Sequence, residues 1–375
     1  MACLAWAWLV GAADGGSNRK THPEGWQAAR LPATAIYTVI KGHPSAAEVT
    51  VINIIRDGGR RLAPHQHHSG LAMNMPAVSV AVFAYNEEKL IAACLDSIQA
   101  CSGEADLSIS VLINGCTDRT ESIVRDYAVA HPNVYPIVIR LGDKANAWNH
   151  YTHQASGRDA LMHAFVDGDV TVTPGSMAAL LRAFDADPVA NGCAALPVGQ
   201  RSRVVAYRRK LSANREMSGN FYALRGSFLD DIRRRDIRVP IGMFGEDGLV
   251  TALTRWNLNR GPDDCRRVTF CEDAGFEYEG LSLWRPSDVR IARNRMMRYA
   301  MRRQHGRMLY PLVSEQGVGR LPVHIVDLYP TRLEALRLEW RGIQTLFDVI
   351  AIRRIRLDAV AGERAKAEDR AHVYS

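Results

Sequence analysis

Residues 160 to 170, ALMHAFVDGDV, decide how this chain is read. Ala160 to Val166 is an apolar run of strand length, and Asp167-Gly168-Asp169 closes it. A strand keeps residues i and i+2 on one side, so both carboxylates are expected to face one ligand. Open α/β sheets bind ligands at the carboxyl ends of their strands. Gly168 permits a close backbone approach there. Hard carboxylate oxygens suit Mg2+ or Mn2+, which take one or two carboxylates plus substrate phosphates. From these residues alone a solvated DG turn is the competing reading.

Around this stretch, strands and helices alternate from Pro76 onward. Val78 to Phe83 is a β-branched apolar run that leads into Ala84-Tyr85-Asn86-Glu87-Glu88. Leu90, Ile91, Cys94, Leu95 and Ile98 then follow helical spacing. Leu107 to Ile113 predicts a second strand, ending in Asn114-Gly115-Cys116-Thr117-Asp118, where Thr117 or Asp118 caps the next helix. Val134 to Ile139 predicts a third strand, and a helix begins near Lys144. Such alternation implies a Rossmann-like, mainly parallel sheet flanked by helices, with right-handed crossovers. Neither GxGxxG nor GxxxxGK[ST] occurs, so the common dinucleotide and P-loop signatures are missing.

Composition narrows the class. The 375 residues are 47% hydrophobic and 23% charged, ordinary for a globular protein. The formal charge of +7 suits a phosphate-bearing ligand, an anionic membrane or nucleic acid. Seven scattered cysteines without a CxxC pair argue against zinc or a disulfide scaffold and fit a reducing cytosol. No apolar run is long enough to span a bilayer. Residues 1–75 read differently. Ala2 to Ala13 makes a poor signal peptide, Val49 to Ile55 is an isolated strand candidate, and His65, His67 and His68 sit in a polar stretch better read as linker than as metal site. This part is expected to be a poorly ordered extension, with Met73 or Met75 as alternative starts.

Six segments in order carry a resemblance to a known family: residues 78–98 (VSVAVFAYNEEKLIAACLDSI), 111–120 (VLINGCTDRT), 144–149 (KANAWN), 165–170 (FVDGDV), 219–229 (GNFYALRGSFL) and 245–253 (GEDGLVTAL). Over residues 76–310 the chain resembles the family 2 glycosyltransferases of the GT-A fold, inverting and of bacterial type. The resemblance implies that Ala84, Tyr85, Asn86 and Glu87 border the nucleobase and ribose. It implies that Asn114 reaches the base, Lys144 the phosphates or base edge, and that Asn149 supports that loop. Asp169 would ligate Mn2+ or Mg2+, with Asp167 on ribose, sugar or the same ion. Asn220 would lie on the acceptor-side strand. Asp247 would be the catalytic base with Glu246 beside it; independently, both acids suit the first turn of a helix. Two departures stand out. Ile113 and Asn114 occupy positions where the family often carries an acidic pair. Arg295-Met296-Met297-Arg298-Tyr299 replaces the Q-x-x-R-W of processive members, which implies a non-processive enzyme.

Beyond Trp284 the chain turns basic, and Arg295 and Arg298 are candidates to clamp a diphosphate. Leu333 to Leu357 predicts a long helix with Ile343, Leu346, Phe347, Ile350 and Ile355 on one side and Arg353, Arg354 and Arg356 near one end. That face suits an anionic membrane or packing on the catalytic domain or a dimer partner. Residues 311–375 are thus a helical extension whose last 15 positions form a polar frayed end. The expected protein is a cytoplasmic glycosyltransferase of polysaccharide biosynthesis, in peripheral contact with the inner face of the cell membrane. It would move one sugar from a UDP- or GDP-sugar to a glycan, lipid-linked or other hydroxyl acceptor. A nucleotidyltransferase on a similar fold is the first alternative. A non-catalytic binder of anionic lipid or RNA is the second, and it leaves the acids at 167, 169, 246 and 247 unexplained; nucleic acid is not an expected partner.

Overall fold

Of the 375 residues, the computed structural model describes 37–39, 52–54 and 77–373, except 104, 158, 260–261 and 279–285. Residues 1–71 and 72–375 are two compact units. In the first, β1 (Tyr37–Val39) pairs antiparallel with β2 (Ile52–Ile54), inside the Val49 to Ile55 candidate. The rest of the N-terminal extension, including His65, His67 and His68, lies outside the described residues.

The second unit is built on β3 (Ala77–Ala84), β4 (Asp106–Asn114), β5 (Val134–Ile139), β6 (Met162–Asp167), β7 (Val170–Val172), β8 (Gly192–Pro197), β9 (Phe221–Arg225) and β10 (Val268–Tyr278). They form one sheet in the order β5-β4-β3-β6-β9-β8-β10-β7. The four strands β5, β4, β3 and β6 are mutually parallel, as the alternation predicts. Beyond them β9 runs antiparallel to β6 and β8, and β7 antiparallel to β10, so the sheet is mixed. Its helices are α1 (Ile91–Gln99), α2 (Thr120–Ala130), α3 (Lys144–His150), α4 (Ser176–Ala186), α5 (Ser202–Asn214), α6 (Gly226–Arg234), α7 (Glu246–Arg255), α8 (Pro286–Gln316) and α9 (Gln344–Val373).

The near-continuous apolar strands exist because both sheet faces are covered. On β3, Val78, Val80 and Val82 enter a core with Ile91, Leu95 and Ile98 of α1. Ala81 and Phe83 enter the opposite core, with Trp148 of α3, Phe165, Tyr222 and residues of α6, α7 and α8. Phe165 stacks on Tyr222 with ring centroids 4.8 Å apart. Each such ring contributes about 1.5–3 kcal/mol by leaving water. Register then aligns the functional ends: Phe83 lies opposite Asp167, and Ala84 opposite Ile113. The AYNEE, NGCTD and DGD segments therefore meet at one edge.

The C-terminal helix departs from its prediction. It starts at Gln344 rather than near Leu333, and continues to Val373 through the stretch expected to fray. Upstream, Leu333–Ala335 makes only a short 3-10 turn, and Gly342 takes φ +60°, a left-handed conformation that no α-helix contains. The expected single apolar side is also two sides. Ala351, Ile355 and Ala359 are buried with Phe347 and Ile352 packed among them, whereas Ile343, Leu346 and Ile350 face outward.

Candidate active site

Two loops build the floor of the site by holding each other. Asn86 takes φ +57°, a conformation Asn tolerates, and its Oδ1 accepts from the Thr117 N–H at 2.8 Å. The Glu87 N–H donates to Thr120 Oγ1 at 2.8 Å, and the Glu88 N–H to Asp118 Oδ2 at 3.1 Å. Asp118 Oδ1 also accepts from the Thr120 N–H at 3.0 Å at the start of α2. The polar residues of the two segments thus satisfy one another's backbone. Asn114 is buried, and its Oδ1 accepts from the Asp143 N–H at 3.0 Å. Asp143 in turn caps α3 by accepting from the Asn146 N–H at 2.7 Å. Tyr85 projects from the rim, 57% exposed.

Asp167 ends β6, but Asp169 sits in the tight turn to β7, not on a continuing strand. Gly168 makes that turn possible. Its N–H donates to the Phe83 carbonyl at 2.8 Å, and a Cβ there would lie 3.1 Å from the same oxygen. The close approach is therefore to β3.

Lys144, first residue of α3, reaches into this acidic edge. Its Nζ lies 2.5 Å from Asp167 Oδ1, 3.1 Å from Glu246 Oε1 and 3.1 Å from the Gly219 carbonyl. Burial works against its charge, but Asp167 and Glu246 outweigh that and hold its pKa well above the ordinary lysine value. One ammonium thereby ties the DGD turn to the start of α7. Asp169 is half-buried and makes no hydrogen bond or ion pair among the described residues. The negative charge around it is undercompensated. Burial, then Asp169 and Asp167, push the Glu87 carboxyl up to about 8. Burial pushes Asp167 up to about 7, against Lys144 and with Asp169. No group of three or more His, Cys, Asp or Glu occurs at metal-binding distances among the described residues. The donor set is two carboxylates, which fits an ion that completes its shell with substrate phosphate.

Glu246 and Asp247 open α7, as expected, behind Gly245 at φ +86°. Glu246 is buried on Lys144; Asp247 is gripped by Arg302 of α8, whose nitrogen lies 3.0 Å from Oδ1 and 3.1 Å from Oδ2. Asn220 lies not on a strand but in the turn that leads into β9, and a Cβ on its neighbour Gly219 would lie 3.3 Å from the Asp247 carboxyl carbon, so this turn runs directly beside the acid. The Asn220 carbonyl accepts from the Asp167 N–H at 2.9 Å.

The structure therefore gathers Glu87, Lys144, Asp167, Asp169, Asn220, Glu246 and Asp247, with Ala84, Tyr85, Asn86 and Asn114 on the adjoining loops. Asn149 does something else: its amide clamps the Val239 backbone with two bonds of 2.8 Å. Arg295 is half-buried and Arg298 exposed, and neither touches a site acid. The arginine that does, Arg302, was not singled out from the basic run, because charge spacing alone does not say which side faces α7.

Residues 79–244 match the model of glycosyl transferase family 2. Glu246 and Asp247 fall just past that span. No curated protein matches the chain. Among solved structures it is similar to mannosyltransferase PcManGT from Pyrobaculum calidifontis in complex with GDP-Man and Mn2+, at 18% identity over 79% of this chain and 76% of that one, TM-score 0.45. It is similar to S. aureus TarS 1-349 in complex with UDP-GlcNAc, at 15% identity over 77% and 92%, TM-score 0.42. A third is glucosyl-3-phosphoglycerate synthase from Mycobacterium tuberculosis in complex with Mn2+, UDP-Glc and phosphoglyceric acid, at 20% identity over 60% and 79%, TM-score 0.41. Residues 79–244 thus carry the match to glycosyl transferase family 2, and the mixed α/β sheet with its DGD turn is consistent with a family 2 glycosyltransferase.

Proposed function

We propose that this glycosyltransferase moves a single sugar, with inversion, from a UDP- or GDP-sugar to a hydroxyl of a glycan or lipid-linked acceptor. The observation that carries this is the Lys144 ammonium shared by Asp167 and Glu246, which sets a donor-side carboxylate next to the helix that bears Asp247. Ala84, Tyr85, Asn86, Glu87 and Asn114 border the nucleoside. Asp169, with Asp167 near it, would hold Mn2+ or Mg2+, which would supply positive charge to offset that on the departing diphosphate. Lys144 orients Asp167 and Glu246 and adds positive charge beside the diphosphate.

Asp247 is the base. The acceptor oxygen bonds to the anomeric carbon as the bond from that carbon to the phosphate oxygen breaks on the opposite face. The hydroxyl proton passes to the Asp247 carboxylate, and the nucleoside diphosphate leaves. Arg302 orients that carboxylate, and Gly219 lets the turn before β9 approach it. The match of residues 79–244 to glycosyl transferase family 2 favours sugar transfer over the nucleotidyl-transfer and non-catalytic alternatives. A role in polysaccharide biosynthesis on the cytoplasmic side fits this chemistry. Peripheral membrane contact is supported by the outward apolar stripe of α9; no helix among the described residues is long and apolar enough to cross a bilayer.

The test is donor binding. Nucleotide sugars should raise the melting temperature only with Mn2+ or Mg2+ present, since a ligand that binds the folded state stabilises it. Asp169→Asn should remove that shift while melting normally alone. Metal-independent stabilisation of both proteins would refute the assignment.

A further inference from the structure

The positive surplus of this chain is concentrated beside Asp247. α5 holds Arg203, Arg208, Arg209 and Lys210 and no acid, and the first half of α8 holds Arg290, Arg293, Arg295 and Arg298. Contacts bring both helices to the neighbourhood of the catalytic acid. From α5, the Tyr207 hydroxyl bonds Ser218 Oγ at 2.9 Å, and the next residue, Gly219, lies against Asp247. From α8, Arg302 grips Asp247 directly. Helical spacing puts Arg203 on the face of Tyr207, one turn earlier. It puts Arg298 and Arg295 on the face of Arg302, one and two turns earlier.

The pairing of the arginines separates this face from an ordinary solvated one. On the side of α8 that meets α9 and the 337–341 segment, Arg303 pairs with Asp348 at 2.7 Å and Arg307 pairs with Glu339. On the side that follows Arg302, neither Arg295 nor Arg298 has a hydrogen bond or ion pair among the described residues, and Arg203 on α5 has none either. Three guanidinium groups thus stand without an anion at the acceptor side of the site. A guanidinium fork matches a phosphate geometrically and binds it bidentately.

We propose that the acceptor carries a phosphate group, held by Arg203, Arg295 and Arg298 at the mouth beside Asp247. This rests on the transferase reading above, because it assigns the face next to Asp247 to the acceptor. The phosphate belongs either to a soluble phosphorylated acceptor or to a lipid headgroup. In both cases the anion anchors the acceptor while a hydroxyl of the same molecule lies at Asp247. Arg295 and Arg298 then serve the acceptor rather than the donor diphosphate.

The probe is inorganic tripolyphosphate, titrated calorimetrically into the full chain in EDTA, where the donor-side carboxylates hold no cation. The wild type should bind it, and binding should weaken with added salt. Arg203→Ala/Arg295→Ala/Arg298→Ala should bind at least tenfold more weakly with an unchanged melting temperature, and Arg298→Gln alone should give part of the loss. Arg182→Ala/Arg235→Ala, which removes two charges elsewhere, should bind as the wild type does. Equal binding by the triple variant, or an equal loss in the Arg182/Arg235 control, overturns the proposal. Sedimentation with phosphatidylglycerol and with phosphatidylcholine vesicles separates the sources. Pelleting on phosphatidylglycerol that the triple variant loses assigns the phosphate to a lipid; tripolyphosphate binding without pelleting, or with pelleting that the triple variant keeps, assigns it to a soluble acceptor. The titration needs neither metal nor turnover, so it fails independently of the donor-binding test.

Discussion

Lys144 is where the two halves of the site meet. Its ammonium serves Asp167 on the donor side and Glu246 on the acceptor side, and its side chain is 28% exposed. Removing one member of such a cluster leaves the others without compensation in a partly dry site. Lys144→Met should therefore cost roughly 2–3 kcal/mol of stability, less than for a fully buried pair because some water reaches it. Urea unfolding measures this, and a loss below about 0.5 kcal/mol would show that solvent already screens the cluster. The acids Asp167, Asp169, Glu246 and Asp247 were legible in the sequence because each pair sits within three residues, next to a strand end or helix start. The Lys144 bridge and the Arg302 grip were not, because they join residues 102 and 55 positions apart, as a tertiary contact does. Asn149 was read as supporting the Lys144 loop, and its amide holds the Val239 backbone; only the fold shows which way a helical side chain points.

At the scale of elements, buried parallel strands are the most legible feature. β5 has the predicted bounds, and β3 and β4 extend theirs by only a residue or so at the ends. α9 is the least legible. Its apolar residues recur on two sides, and a helical period does not say which side meets α8. The inner side packs through Ala351, Ile355 and the Arg303–Asp348 pair. The outer side shows Ile343, Leu346, Ile350 and Leu357 at near-heptad spacing, with Trp340 87% exposed just upstream and Arg353 between them. Exposed aliphatic residues, a tryptophan and arginines suit an anionic interface. Ile343→Glu/Leu346→Glu/Ile350→Glu leaves the inner packing intact, unlike a truncation. It should reduce co-sedimentation with phosphatidylglycerol vesicles at low salt by at least fivefold. Unchanged recovery would assign that face to another surface.

At the scale of the whole molecule, stability carries a pH term that the site does not own. His163 lies fully buried in β6, its Nδ1 3.0 Å from the Tyr151 hydroxyl, which also bonds Ser79. Burial, aided by Arg233, pushes its pKa down to about 3. The unfolded histidine takes a proton below about 6.5 and the folded one does not, so this stability is full above about 6.5 and is lost as pH falls. The raised carboxyls of Glu87 and Asp167 act in the opposite sense, so the wild type alone does not isolate the effect. Comparison with His163→Asn does, because those carboxyls are common to both. Between pH 7 and pH 5 the wild type should lose about 2 kcal/mol more than the variant. Parallel urea midpoints across that range would show that the histidine is protonated in the folded state.

The central claim is that Asp247 accepts the acceptor's proton while Glu246 serves the Lys144 cluster. Turnover at saturating donor and metal, for Asp247→Asn and Glu246→Gln side by side, tests it most directly. Asp247→Asn should fall by about two or more orders of magnitude with donor affinity nearly unchanged, the scale of a lost general base. Glu246→Gln should lose less. A dead Glu246→Gln beside a near-normal Asp247→Asn would contradict the account and move the base one residue earlier.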